Sequence, residues 1–240
     1  MKRLVLLALI ALLIPMCAIC EGGDFLSDAE RCQTTQRMFN EVDYRALAEA
    51  VDSYILNETP GPEDSAYAIR QVLEDAAEAV DAMEEVVDDF DGSRSFTLDG
   101  VREIGEDCCV VPGYNAADWL HVQMGFVADD WVFFDRIAIS VDGEIVLEED
   151  YDSGETTTDV LHDGSVFEKV SRPIDFIEFD AAQAIHDGQK AVIRFSNTST
   201  GEKIDHILTD QEKSALYHCW QLLRARSALS SLYRETTHGD

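Results

Sequence analysis

The spacing of apolar positions changes twice along the chain, and each change marks a new kind of structure. Leu4 to Leu13 is an unbroken apolar run, preceded by Lys2 and Arg3 and closed at Pro15. A run of roughly 10–13 residues fits the h-region of a secretory signal and falls short of the ~20 needed to span a bilayer as a helix. Residues 21–27 then read as a polar tether. From Asp28 to about Asn57, apolar positions such as Met38, Val42, Leu47 and Val51 recur at three- and four-residue steps, the period of a helix. Asn57-Glu-Thr-Pro-Gly-Pro62 stops it, because proline and glycine do not continue a helix. Pro62 and the acidic Glu63-Asp64 suit the first turn of a second helix. Its stripe of Ile69, Val72, Leu73, Ala76, Val80, Met83 and Val87 leads to Asp89-Phe-Asp-Gly92. The spacing predicts an antiparallel helical hairpin.

At Ser93 the period shortens to two. Runs rich in β-branched and aromatic residues alternate with turn residues, which predicts strands at Ser95–Leu98, Cys108–Val111, Trp119–Val127, Trp131–Val141, Glu144–Glu148, Val166–Val170, Ala191–Ser196 and Lys203–Leu208. Asp142-Gly143 between two apolar runs is a two-residue hairpin signal. A short helix is expected over Ile177–His186, closed by Gly188. Thr209-Asp-Gln-Glu212 is a capping box that opens a last helix, expected to reach about Tyr233. The fold class is therefore α+β: an N-terminal helical hairpin, then a mainly antiparallel sheet or sandwich with a C-terminal helix packed on it. The expected division is a signal peptide over 1–20, tether and hairpin over 21–92, and the β domain over 93–240.

Charge narrows the partners. Against 48 Asp and Glu stand 18 Lys and Arg, a net −30, which repels nucleic acid and anionic membrane surfaces. With 46% apolar residues the chain can still bury a core. Calcium is the ion to consider in so acidic an exported chain, yet neither candidate loop fits an EF-hand. In Asp89-Phe-Asp-Gly92 that register puts Val87 first and Leu98 last, where carboxylates are required, and Glu149-Asp-Tyr-Asp-Ser-Gly154 puts Tyr151 at the third position. An irregular Ca²⁺ site in either loop is the one cofactor considered.

Export bears on the cysteines. A cut after Ala18-Ile19-Cys20 leaves Glu21 as the new N-terminus, whereas lipid attachment would use Cys20 or Cys17. Cys20 precedes a polar Glu-Gly-Gly-Asp tether but follows Ile19, and Cys17 follows Met16, so neither has the small preceding residue that lipidation favours. The remaining Cys32, Cys108, Cys109 and Cys219 are an even number in a disulfide-permissive compartment. Cys32 and Cys219 are the expected partners of the 108–109 pair, since adjacent cysteines close a strained ring. Their spacing is not that of a zinc site.

Candidate surfaces centre on Trp119–Phe126. Alternation puts Leu120, Val122, Met124 and Phe126 toward a core and Trp119, His121 and Gln123 on the other face. A ring, an imidazole and an amide at alternate positions suit a sugar or peptide, as do Trp131 and Phe133 nearby. Asp135 and Arg136 interrupt an apolar strand, and Arg194 is the expected cross-sheet partner of Asp135, with anion recognition the alternative. No hydrolase nucleophile motif and no phosphate-cradling glycine loop is present. Asn57 and Asn197 open glycosylation sequons.

The pattern WLHVQMGF…DDWVFFDRI…DG, with VIRF…HILTDQEK before the last helix, resembles a group of small exported or lipoprotein-like bacterial proteins with no established function. The resemblance covers roughly residues 95–233, implies a domain boundary near Ser93 and supplies no catalytic residues. Taken together, these features predict an exported, envelope-associated or secreted binding protein that is not an enzyme, with a protein or carbohydrate ligand. The competing class is an extracytoplasmic hydrolase that uses acidic residues, with or without a divalent cation.

Overall fold

The strands predicted from Ser93 onward are joined by Met83–Val87 and Thr157–Val160, which the pattern did not mark as strands, and together they form two sheets in which every pairing among the described residues is antiparallel. The computed structural model describes residues 42–49, 65–87, 94–105, 107–115, 119–152 and 154–237. These fall into two compact units, one of residues 83–220 and one combining 1–82 with 221–240.

In the unit formed by both chain ends, residues 44–49 are helical and helix α1 spans Ser65–Asp81. Val72, Leu73, Ala76, Ala77 and Ala79 of α1 are buried, and Arg45 is ion-paired with Asp81. The rest of the expected first helix and its Asn57–Pro62 turn lie outside the described residues. So do the signal segment with Cys17 and Cys20, the tether, and Cys32. Helix α1 stops at Asp81 instead of running to Asp89. Met83–Val87 is strand β1, paired with β2 (Arg94–Leu98) in the register Met83↔Leu98 to Val87↔Arg94. The four-residue step from Met83 to Val87 mimics a helical stripe, and the partner strand decides otherwise.

In the unit of residues 83–220, β3 (Val110–Asn115), β4 (Trp119–Ala128), β5 (Arg136–Val141), β6 (Glu144–Asp150), β7 (Thr157–Val160), β8 (Val166–Pro173), β9 (Ala191–Ser196) and β10 (Lys203–Ile207) follow. One sheet runs β1-β2-β3-β4-β8-β7 and the other β10-β9-β5-β6. Leu120, Val122, Met124 and Phe126 are buried, as the alternation predicts, and so are Ile137, Ile139, Ile193 and Phe195. Phe126 of the six-stranded sheet meets Phe195 of the four-stranded sheet at 5.2 Å between ring centroids, and Phe134 meets Phe195 at 5.2 Å. Edge-to-face pairs of this kind add roughly 0.5–1.5 kcal/mol each to plain area burial.

The turns follow from local chemistry. Asp142 and Gly143 both have positive φ, 52° and 95°, as the hairpin between β5 and β6 requires. The Asp142 carboxylate then accepts from the Gln189 and Lys190 amides. Helix α2 spans Phe179–Asp187. Gly188 caps it without left-handed backbone, at φ −67°. Glycine is needed there because a Cβ would run into Val141 and the Ala184 carbonyl. Helix α3 spans Asp210–Thr237. Its capping box forms, with Thr209 N–H on Glu212 Oε2 at 2.8 Å and Glu212 N–H on Thr209 Oγ1 at 3.2 Å. Its first half packs down through Ala215, Leu216 and Cys219, and Trp220 Nε1 donates to the Ile177 carbonyl at 2.6 Å.

Candidate functional site

Trp131–Val141 reads as one strand, but residues 131–134 leave the ladder; Asp135 keeps backbone bonds to Ser196 and Tyr151, and β5 begins at Arg136. The cause is Glu168. In strand β8 it lies between Val166 and Val170, on the inward face, and it is fully buried. Its carboxylate accepts the amide hydrogens of Val132 and Phe133 on Oε1, at 2.8 and 2.9 Å, and that of Phe134 on Oε2, at 3.1 Å. Amides spent on a side chain cannot pair with a strand. The loop therefore bulges, and Phe133 takes a left-handed φ of 50°, a conformation that costs a bulky residue on the order of 1–3 kcal/mol. Strain of that size persists only where the surroundings over-determine it, here by Glu168 and by Asn197 Nδ2 donating to the Phe133 carbonyl at 2.8 Å.

The bulge turns an aromatic platform outward. Phe133 is 59% exposed and stacks flat on Trp131, with centroids 5.1 Å apart and planes 10° apart. Phe134, the next residue, points the other way into the core. Beside the platform lies a groove of about 320 Å³ lined by Phe133, Phe134, Asp135, Thr156, Thr158 and Asn197. Two of its polar side chains, Asp135 and Asn197, already serve the fold. Asp135 accepts from Thr198 N–H and Oγ1 at 2.8 and 2.7 Å, while Asn197 Oδ1 accepts from the Ser199 and Thr200 amides. Burial pushes the Asp135 carboxyl up, yet the Thr198 bonds outweigh it and hold the group below the usual carboxylate range. The side chain of Asn197 is also the acceptor of a sequon, and its engagement on both ends works against glycosylation there.

The predicted surface residues do not gather in one place. Trp119 lies on β4 opposite Asn115, and its side chain is outside the described set. His121 and Gln123 share the outer face of the six-stranded sheet, where His121 is half-buried and Gln123 accepts from Lys169 Nζ at 3.0 Å. Arg194 sits on the four-stranded sheet. The expected pair with Asp135 does not form: Arg194 holds Asp205, directly opposite on β10, through bonds of 2.6 and 2.7 Å. Register decides this, since Asp135 precedes β5 and turns to the Thr198 loop. Among the described side chains of the predicted set, Trp131 and Phe133 are the two that stack on each other.

No disulfide occurs among the described residues, and the pairing expected through Cys32 lies outside them. Cys108, Cys109 and Cys219 are free thiols, so Cys219 does not pair with the 108–109 pair. Cys219 contacts the Gly113 backbone, four residues further along than Cys109, which is where α3 carries it. Burial, followed by the nearby Glu212 charge, pushes the Cys108 thiol up to about 11 and Cys109 up to about 12. Thiols held protonated in this way are poor nucleophiles.

The candidate calcium loop at Asp89 lies outside the described residues. In the second candidate, Asp150 is tied to Arg136 and the Tyr151 ring is buried against Phe134 and Phe176. No cluster of three His, Cys, Asp or Glu side chains suited to a metal occurs among the described residues.

Glu168 and Glu212 are the functional-looking residues that pattern reading missed in their full role. Glu212 extends its capping duty by accepting the Cys109 and Val110 amides at 2.7 and 3.0 Å and meeting His206 Nε2 at 2.9 Å. The available signal was an acid on the inward face of a predicted strand, Glu168 between Val166 and Val170. Comparison with protein-family models, with curated proteins and with solved structures found no match to the chain.

Proposed function

We propose that the chain is an exported, non-enzymatic binding protein whose ligand site is the Trp131–Phe133 platform and the groove beside it. The observation that carries this reading is the exposed, strained Phe133, held out by a buried carboxylate that accepts three consecutive amides. A fold that merely needed to close this corner would place a small polar residue there and keep the ladder. Export rests on the apolar run after Lys2 and Arg3.

Between the two ligand classes, the groove favours a protein segment. Sugars are held by polar groups that converge on their hydroxyls, and here Asp135 and Asn197 are committed to Thr198, Ser199, Thr200 and the Phe133 carbonyl. What is left to a ligand is an aromatic face, the Thr158 side chain and a strand edge. Acid catalysis gains no support: a general acid needs a carboxyl held up toward neutrality. The described carboxyls displaced from their ordinary values, Asp81, Asp135, Asp163, Asp205, Asp210 and Glu212, are all held down.

The test is selection of ligands from a displayed random peptide library and a glycan array, comparing wild type with Phe133→Ser. Ligands of the wild type should lose about tenfold or more in affinity on Phe133→Ser, as for truncation of an interface anchor. Circular dichroism should report an unchanged fold. Equal binding by both proteins would overturn the proposal, and loss confined to glycans would transfer it to carbohydrate.

A further inference from the structure

Strand β7 ends the six-stranded sheet, and its pairing with β8 tells which of its groups are spare. Leu161 N–H bonds the Ser165 carbonyl, so in the antiparallel register Asp159 and Thr157 also face β8 with their backbone groups. The backbone groups of Thr158 and Val160 therefore point away from the sheet. Directly opposed residues share a face, which sets the Thr158 and Val160 side chains beside Glu168 and Val166, on the inner side. Yet Glu168 and Val166 are buried while Thr158 is exposed and Val160 is 59% exposed. The inner face of β7 is left uncovered beside the Phe133 groove.

We infer that this edge receives an extended, cationic segment of another protein, which adds as a strand to β7 and lays a large apolar side chain against Phe133. The inference rests on the platform reading above and names its partner. Strand addition draws affinity from backbone bonds and selectivity from pockets for alternate side chains. β7 supplies the free edge, and the Thr158–Phe133 groove supplies the pocket. The charge of the occupant follows from the rim. Segments 129–135 and 155–163 carry Asp129, Asp130, Asp135, Asp159 and Asp163 and no Lys or Arg, while their sixth acid, Glu155, is already held by Arg172 of β8 at 2.7 Å. A second copy of a chain with net charge −30 is repelled from such an edge. Asp159 reinforces the exclusion, because its carboxylate takes the outward Val160 N–H at 2.8 Å. Acids on an edge strand keep like chains away; a lysine or arginine of the incoming strand draws that carboxylate off and frees the amide.

The probe is a short peptide alternating lysine with valine and phenylalanine, titrated against the full chain by tryptophan fluorescence and calorimetry. A counterpart with glutamate for lysine is the charge control. The lysine peptide should bind, should bind about tenfold or more tighter than the glutamate peptide, and should weaken with salt. Thr158→Pro removes one outward N–H while leaving the bonds to β8, and should cost about tenfold. Loss on Phe133→Ser with retention on Thr158→Pro overturns strand addition and leaves the platform reading standing. Loss on Thr158→Pro with retention on Phe133→Ser overturns the platform reading. Equal affinity for both peptides, or no binding of the lysine peptide, overturns the cationic partner. Thermal melting of each variant separates loss of binding from loss of fold. A wild-type dimer in sedimentation that Thr158→Pro dissociates would reassign the edge to self-association and overturn the inference.

Discussion

Glu168 offers the sharpest test of how the loop is built. Its carboxylate is fully buried and accepts three consecutive amides at 2.8, 2.9 and 3.1 Å. Glu168→Gln retains Oε1 for Val132 and Phe133 but turns an amide NH₂ toward the Phe134 N–H, so a donor faces a donor. One charge-assisted bond, about 1.5–3 kcal/mol, is lost, and a buried N–H is left without a partner. Removing a buried charge also recovers part of its desolvation penalty. The net expectation is a loss of about 2 kcal/mol, and with a urea m-value of about 2 kcal/mol/M the midpoint should fall by about 1 M. Glu168→Ala forfeits all three bonds and leaves a cavity, for an expected loss of about 3–5 kcal/mol. The assay is equilibrium urea unfolding followed by tryptophan fluorescence and by circular dichroism, whose curves should coincide. An unchanged midpoint for Glu168→Gln, within about 0.2 M, would refute the claim that this carboxylate holds the loop.

Two further outcomes are expected. Burial pushes the Glu212 carboxyl up, but the bonds from His206, Thr209 and Cys109 outweigh it and hold the group below its ordinary value. A depressed folded-state pKa means stability that is present above the unfolded value, about 4.3, and is lost as pH falls through the folded one. The stability gap between wild type and Glu212→Gln should therefore narrow as pH falls below about 4 in urea melts, whereas a constant gap would show that ionisation is irrelevant there. Gly125→Ala should cost about 3 kcal/mol or more, because its Cβ would press on the Glu168 carbonyl and lie 2.7 and 2.8 Å from Lys169 Cβ and Cα. Gly105→Ala, with nothing within 4 Å, is the control that should stay near wild type in thermal melts.

The candidate site was half legible. Trp131 and Phe133 stand out in the sequence as aromatics beside acids, and the structure places their rings together. Arg194 and Gln123 also stand out, yet each is spent on a residue of the neighbouring strand, because register rather than residue type chooses partners. Phe133 carries no sign of its left-handed backbone, which Glu168, thirty-five residues away, imposes through neighbouring amides. Strand β7 was equally silent, since Thr157-Thr-Asp-Val160 has no buried face to give it a period.

Local chemistry settles what depends on near neighbours in the chain. Apolar alternation marked the strands from Ser93 other than β7 and sent Leu120, Val122, Met124 and Phe126 inward. Asp142-Gly143 announced its turn, and Thr209 with Glu212 announced the start of α3. Those signals need only backbone sterics and a side chain within a few residues. Tertiary structure decided the rest: that Met83–Val87 leaves the helical stripe to pair with Arg94–Leu98, that Arg194 takes Asp205, that Cys219 meets Gly113 and not Cys109, and that Glu168 pulls 132–134 out of the ladder. Each of these is a competition between distant partners for one hydrogen bond, charge or contact. The winner is set by sheet order and register, which the pattern of a single segment does not contain.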